Sequence, residues 1–141
     1  MKEKYLSKIF LFDAAHKLEN KNMDSEKNKR IYGKCNNVHG HTYKLIVSVS
    51  GDVDETDMVI NFSKLKESID VCVINVLDHS FLNELECLKG KNPTAENLAE
   101  VIWDIIVGML KEENSRLELK KIELYETPTS FYTIEQNHER G

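Results

Sequence analysis

The chain has few cysteines, and no two of them lie close together. Cys35, Cys72 and Cys87 are an odd number without a C-x-x-C motif, which excludes a disulfide framework and a cysteine-built zinc finger and leaves reduced thiols. Long apolar runs are also missing, because every hydrophobic stretch is broken within a few residues. Met1-Lys2-Glu3-Lys4 leads straight into a strand pattern, so neither a transmembrane span nor a leader peptide is expected, and the expected location is cytoplasmic. No basic footprint exists either. With a net charge of −5 and lysines interleaved with acids, direct nucleic-acid binding is not expected. The 141 residues, 40% hydrophobic, suit one domain, 1–141, around a single core.

Histidine is scarce at five residues, and two of the five form the chain's organising motif. In Cys35-Asn36-Asn37-Val38-His39-Gly40-His41 the histidines stand at i and i+2, a spacing that shares one face only in an extended strand. Tyr43, Leu45, Val47 and Val49 continue that parity, so the imidazoles extend an apolar face. Two imidazoles are too few for a tight zinc site, and His16, His79 or His138 is expected to complete it. His16 ends an earlier strand over residues 5–16, on the parity of Phe10, Phe12 and Ala14. A histidine there is ordinarily a core residue satisfied by a hydrogen bond. Beside an H-x-H strand it becomes a ligand candidate.

The polar stretch from Lys17 to Lys34 lacks periodicity and reads as a long exposed loop, whose Lys29, Arg30 and Lys34 could attract an anionic substrate. Leu65, Ile69, Val73, Val76 and Leu77 recur at helical spacing after a cap at Asn61 or Ser63, and the helix empties into Asp78-His79. Cys72 on it reads as a buried thiol, and Cys87 carries no assigned chemistry. Asn92-Pro93-Thr94-Ala95-Glu96 opens a second helix. Thr94 suits the N-cap and Glu96 the positive end of the helix dipole, a complete structural account of both. A hairpin of strands 119–126 and 131–134 closes the chain, with Glu126 ending an apolar parity where it either turns to solvent or serves a site. The order β-β-α-α-β-β predicts an α+β fold, a four-stranded antiparallel sheet with two helices between the strand pairs, whose edges invite oligomeric assembly.

Three neutral imidazoles would leave zinc an open position, as in catalytic sites. Cys35, four residues before His39, becomes a usable base where nearby cationic charge favours the thiolate. Asp78 and His79 are an acid/base candidate pair. The segments Phe12-Asp13-Ala14-Ala15-His16, Cys35-x3-His39-Gly40-His41, Leu77-Asp78-His79, Asn92-Pro93-Thr94-Ala95-Glu96-Asn97 and Tyr125-Glu126-Thr127-Pro128 together resemble the tetrahydropterin synthases in content and order.

That resemblance implies a tunnelling fold (T-fold), with sheets assembled round a trimeric barrel, stacked as a homo-hexamer (dimer of trimers), with active sites between subunits. It implies Zn2+ on His16, His39 and His41, Cys35 as base, Asp78 with His79 as the second proton-transfer unit, and Glu126 on the guanidine-like edge of a pterin. Thr94 and Glu96 match the segment lining the pterin pocket. The implied substrate is 7,8-dihydroneopterin triphosphate. The Cys35–His39 spacing, Asn-Pro-Thr-Ala-Glu-Asn and Glu-Thr-Pro-Thr-Ser are similar to the 6-carboxy branch of the queuosine (7-deazaguanine) pathway, a lyase branch that releases acetaldehyde. Gly33-Lys34-Cys35-Asn36-Asn37 is similar to the 6-pyruvoyl branch, which keeps the side chain. The carboxy reading is favoured. A hydratase built on the same histidines would leave Cys35 and Glu126 unused, and a non-enzymatic pterin- or metal-binding protein is the remaining alternative.

Overall fold

A computed structural model describes residues 2–137; His138, one candidate third ligand, lies outside the described residues. Its centre is the antiparallel pair β1 (Leu6–His16) and β2 (His39–Ser50). Alternation turns Phe10, Phe12, Ala14 and His16 of β1 and His39, His41, Tyr43, Leu45 and Val47 of β2 to one inner face. Register does the rest. His16 stands opposite His39, Ala14 opposite His41, and Phe12 opposite Tyr43, whose rings stack 4.9 Å apart.

β4 (Glu118–Thr127) pairs antiparallel with β2, and β5 (Ser130–Glu135) with β4. A further strand, β3 (Ser80–Phe81), runs parallel to the end of β1, giving the order β3-β1-β2-β4-β5. The sheet is therefore five-stranded and mixed, where the sequence predicts four antiparallel strands. Two residues are too few to show an alternation, so β3 leaves no period to read.

The helices cover the inner face. α2 (Phe62–Ile69) starts where the Asn61 side chain accepts the Ser63 N–H at 2.8 Å. A wider turn over Asp70–Ile74 carries it into the short α3 (Asn75–Leu77). α4 (Ala95–Glu113) starts where Thr94 Oγ1 accepts the Asn97 N–H at 3.2 Å, so the expected cap is present. Leu65, Ile69 and Val73, with Leu98, Ile102 and Ile106, are fully buried, each contributing roughly 1.5–3 kcal/mol. The opposite, outer face stays open, with Ile9 58%, Leu11 63% and Phe131 54% exposed.

The stretch expected to be a featureless loop contains α1 (Ser25–Tyr32). Asp24 Oδ1 accepts the Lys27 N–H at 2.8 Å, and Glu26 in the first turn with Lys29 and Arg30 in the last complement the dipole. Its sole buried residue is Asn28, so capping rather than an apolar face makes this helix, and a search for hydrophobic period passes over it.

Candidate active site

Three imidazoles and one carboxylate converge at the end of the inner face. The nearest ligand atoms of His16, His39, His41 and Glu126 all lie within 4.8 Å of one another. His16 is wholly buried, and its Nδ1–H donates to the Pro93 carbonyl at 2.8 Å. His39 Nδ1–H donates to the Asn37 carbonyl at 2.7 Å. A carbonyl only accepts, so each Nδ1 carries a proton, and in the neutral form that binds metal each Nε2 is left with a lone pair. Those two Nε2 atoms face each other at 3.0 Å, where neither has a proton to give. Glu126 Oε1 sits 3.3 Å from His16 Nε2 and 3.2 Å from His41 Nε2, and His41 Nε2 is buried without a hydrogen bond.

Acceptors crowded in this way repel unless a cation or protons lie between them. The spacing suits zinc, whose nitrogen ligands at about 2.0 Å stand on the order of 3.3 Å apart in a tetrahedron. Burial, the largest effect, holds His16 and His41 below the ordinary histidine range against the raising influences of Pro93 on His16 and of Glu126 on both. Both imidazoles are thus kept in the neutral form that binds metal. Burial, followed by Glu126, pushes the Tyr43 phenol up; its hydroxyl lies 3.4 Å from His16 Nδ1.

Cys35 lies in the turn Gly33–Asn36, which the post-His16 segment holds in place. Leu18 N–H donates to the Cys35 carbonyl at 2.8 Å, and Asn36 Nδ2 donates to the Leu18 carbonyl at 3.0 Å. Asn83 both accepts from and donates to the Lys17 backbone, while Asn92 accepts the Glu19 N–H. The thiol is partly buried, and among the described residues it has no hydrogen-bond partner. Asparagines therefore fix the backbone of this segment and leave the sulfur unengaged.

Asp78 and His79 are elsewhere. His79 Nδ1 lies 3.0 Å from Asp78 Oδ2, its side chain is 78% exposed, and its backbone takes the left-handed φ of 58°. The Asp13 N–H, which donates to Asp78 Oδ1 at 2.9 Å, and then the His79 imidazole hold Asp78 below the usual carboxylate range. Asp13 alternates with the inward Phe12 and Ala14, as Thr42 does with His41 and Tyr43. The pair therefore opens onto the outer face, into a shallow cleft of about 460 Å³ lined by Asp13, Thr42, His79 and Ser80. His41 of the imidazole cluster also lines this cleft.

Thr94 and Glu96 stand one and three residues beyond Pro93, Thr94 as the cap of α4, and neither lines the cleft at His79. A second cavity, of about 410 Å³, joins His41 and Glu126 to Lys44, Tyr125 and Thr127. Its contacts with His16 and His41 show that Glu126 turns to the cluster rather than to solvent. Lys29, Arg30 and Lys34 line neither cavity. The Pro93 and Asn37 carbonyls escaped sequence reading because backbone acceptors have no residue signature, and Asp13 escaped because it sits on the polar parity.

A mixed sheet with helices on one face and a three-imidazole, one-carboxylate cluster at its end defines an α+β scaffold with a site able to hold a metal ion. Residues 5–137 match the family model described as 6-pyruvoyl tetrahydropterin synthase. The chain is 37% identical to a Drosophila melanogaster 6-pyruvoyl tetrahydrobiopterin synthase over 90% of its length and 76% of that protein's. It is 35% identical to a Haemophilus influenzae 6-carboxy-5,6,7,8-tetrahydropterin synthase, covering 89% of this chain and 94% of that one. The solved Caenorhabditis elegans 6-pyruvoyl tetrahydropterin synthase superposes with a TM-score of 0.84 at 31% identity, covering 95% and 96% of the two chains. The chain belongs to the 6-pyruvoyl tetrahydropterin synthase family, whose relatives are named for both the pyruvoyl and the carboxy product.

Proposed function

We propose that the protein is a zinc-dependent lyase converting 7,8-dihydroneopterin triphosphate and one water to 6-carboxy-5,6,7,8-tetrahydropterin, with release of triphosphate and acetaldehyde. The observation that carries the metal-dependent reading is the meeting of two lone-pair Nε2 atoms at 3.0 Å beside a buried His41 Nε2 without a hydrogen bond. His16, His39 and His41 would hold the zinc, which when bound supplies charge stabilisation to the substrate's side-chain oxygens. Cys35 takes the carbon-bound proton as its thiolate. Asp78 keeps His79 oriented through Nδ1, leaving Nε2 to pass protons to and from substrate. Glu126 accepts the N–H groups of the guanidine-like pterin edge, a charge-assisted pairing, and the segment from Thr94 to Glu96 borders the pterin pocket.

The outward cleft of His79 and the inward imidazoles make a complete site between subunits the simplest arrangement, with His79 of one chain serving the cluster of its neighbour. A homo-hexamer of stacked trimers satisfies this and covers the exposed Ile9, Leu11 and Phe131. The three-residue Cys35–His39 spacing and Glu126-Thr127-Pro128-Thr129-Ser130 favour the carboxy product and a place in queuosine biosynthesis. The 37% identity to a relative named for the pyruvoyl product supports the second reading, triphosphate elimination with the side chain retained.

Mass-resolved product analysis of the zinc-loaded protein, with acetaldehyde assayed in the same sample, separates the two. Carboxy-tetrahydropterin with acetaldehyde is expected; a pyruvoyl product without acetaldehyde selects the second reading. Cys35→Ala is expected to keep zinc and pterin binding while losing turnover, and full turnover in that variant contradicts the base assignment.

A further inference from the structure

The segment Asn92-Pro93-Thr94-Ala95-Glu96-Asn97 bonds to the histidine cluster through a backbone oxygen, the Pro93 carbonyl that accepts from His16 Nδ1 at 2.8 Å. A three-residue turn aims that oxygen. Thr94 N–H donates to the Asn92 carbonyl at 2.8 Å, closing a turn centred on Pro93, whose ring fixes its φ. In a trans peptide the N–H and the C=O point opposite ways. With the Thr94 N–H turned to Asn92, the Pro93 carbonyl is turned away from it, onto His16.

One side chain fastens this turn to α4. Asn97 Nδ2 donates to the same Asn92 carbonyl at 2.8 Å, while the Asn97 N–H donates to the Thr94 cap at 3.2 Å. The Asn92 side chain is engaged elsewhere, accepting the Glu19 N–H and donating to the Tyr32 hydroxyl, both at 3.2 Å. Asn97 therefore holds the backbone oxygen on which the turn closes.

We propose that Asn97 is a positioning residue for His16, acting through the Asn92 and Pro93 carbonyls to keep the ring proton on Nδ1 and the Nε2 lone pair free for zinc. The inference rests on the reading of His16 as a zinc ligand. When the turn slackens, the Pro93 oxygen leaves Nδ1, and the neutral ring is free to carry its one proton on Nε2, where it blocks coordination. The Tyr43 hydroxyl, 3.4 Å from Nδ1, is a poorer partner than the carbonyl it would replace.

Position 97 is the third residue of α4. Asn97→Asp keeps the side chain's size and suits the positive end of the helix, but sets an acceptor against the Asn92 carbonyl. Asn97→Ala removes the donor without adding charge. A negative charge brought near a bound cation by itself favours the cation, so weaker zinc binding by Asn97→Asp reports the turn. In competition with a chelator, both variants are expected to bind zinc about three- to tenfold more weakly than the wild type, at or below the low end of the cost of losing a ligand's direct partner. Equal affinity in the wild type and Asn97→Ala overturns the proposal.

The metal-free protein supplies a separate readout. At about pH 8, where an ordinary imidazole is neutral, nitrogen-15 NMR should find the His16 ring proton on Nδ1 in the wild type and partly on Nε2 in Asn97→Ala. Weaker zinc binding with the ring proton unmoved means general loosening, and that too overturns the positioning role. A wild type that binds no zinc defeats the zinc reading instead. The ring proton then still decides what Asn97 does, and finding it in the same place in both proteins overturns the proposal.

Discussion

His39→Ala removes one of the two Nε2 atoms that meet at 3.0 Å. It is expected to weaken zinc binding by more than the roughly 10- to 100-fold that loss of a ligand's supporting partner costs, measured by competition with a chelator; full zinc content in that variant contradicts the site. The same imidazoles set an acid limit on the metal-free protein. Burial holds His16 and His41 below the ordinary range, whereas in the unfolded chain they titrate near the usual value of about 6.5. Just below that pH the unfolded state binds more protons than the folded one. Stability is therefore full above about pH 6.5 and drains away as pH falls toward the folded-state values. Thermal melts of the metal-free protein from pH 7.5 to 5.5 should show a falling midpoint, and zinc should oppose the fall until protons displace it. Strand parity put His16, His39 and His41 on one face in the sequence, because a period of two states the face, and left Glu126 open between solvent and a site. It could not reveal that His79 looks the other way, since His79 lies in a turn with no period to follow.

Elements held by an apolar period were legible for the same reason. β1, β2 and α4 carry one buried residue set each, and their caps and ends followed from it. α1 has no such set and depends on polar detail. Asn28 Oδ1 accepts the Asn20 N–H at 2.8 Å, and its Nδ2 donates to the carbonyls of Asn20 at 3.0 Å and Met23 at 3.2 Å. Asn28→Ala takes these partners from the Asn20 N–H and the Met23 carbonyl, while the Asn20 carbonyl keeps the Met23 N–H, at a cost of about 2 kcal/mol. Because α1 leads directly into the turn bearing Cys35, local loosening should appear there too. Hydrogen exchange is expected to quicken over residues 18–36 in that variant and to stay unchanged in α4; uniform quickening across the chain would instead mean global destabilisation.

The sheet of the whole molecule is finished on one side only. Its inner face is sealed by α2 and α4, its outer face carries exposed Ile9, Leu11 and Phe131, and its edges are the two-residue β3 and the six-residue β5. Such a sheet is suited to assembly with further copies. If, as proposed, His79 of one chain serves the histidine cluster of its neighbour, two damaged proteins can repair each other. On the proposed roles, a chain lacking His39 would retain its proton-transfer half, and a chain lacking His79 its metal half. Unfolded together and refolded as mixed oligomers, the two inactive variants should regain activity at about one site in four, the share that random assortment gives intact halves. If refolded mixtures stay as inactive as either parent, both halves of each site come from one chain. Inheritance of function in this protein would then follow the interface, with a defect in either half masked whenever a neighbour brings the other.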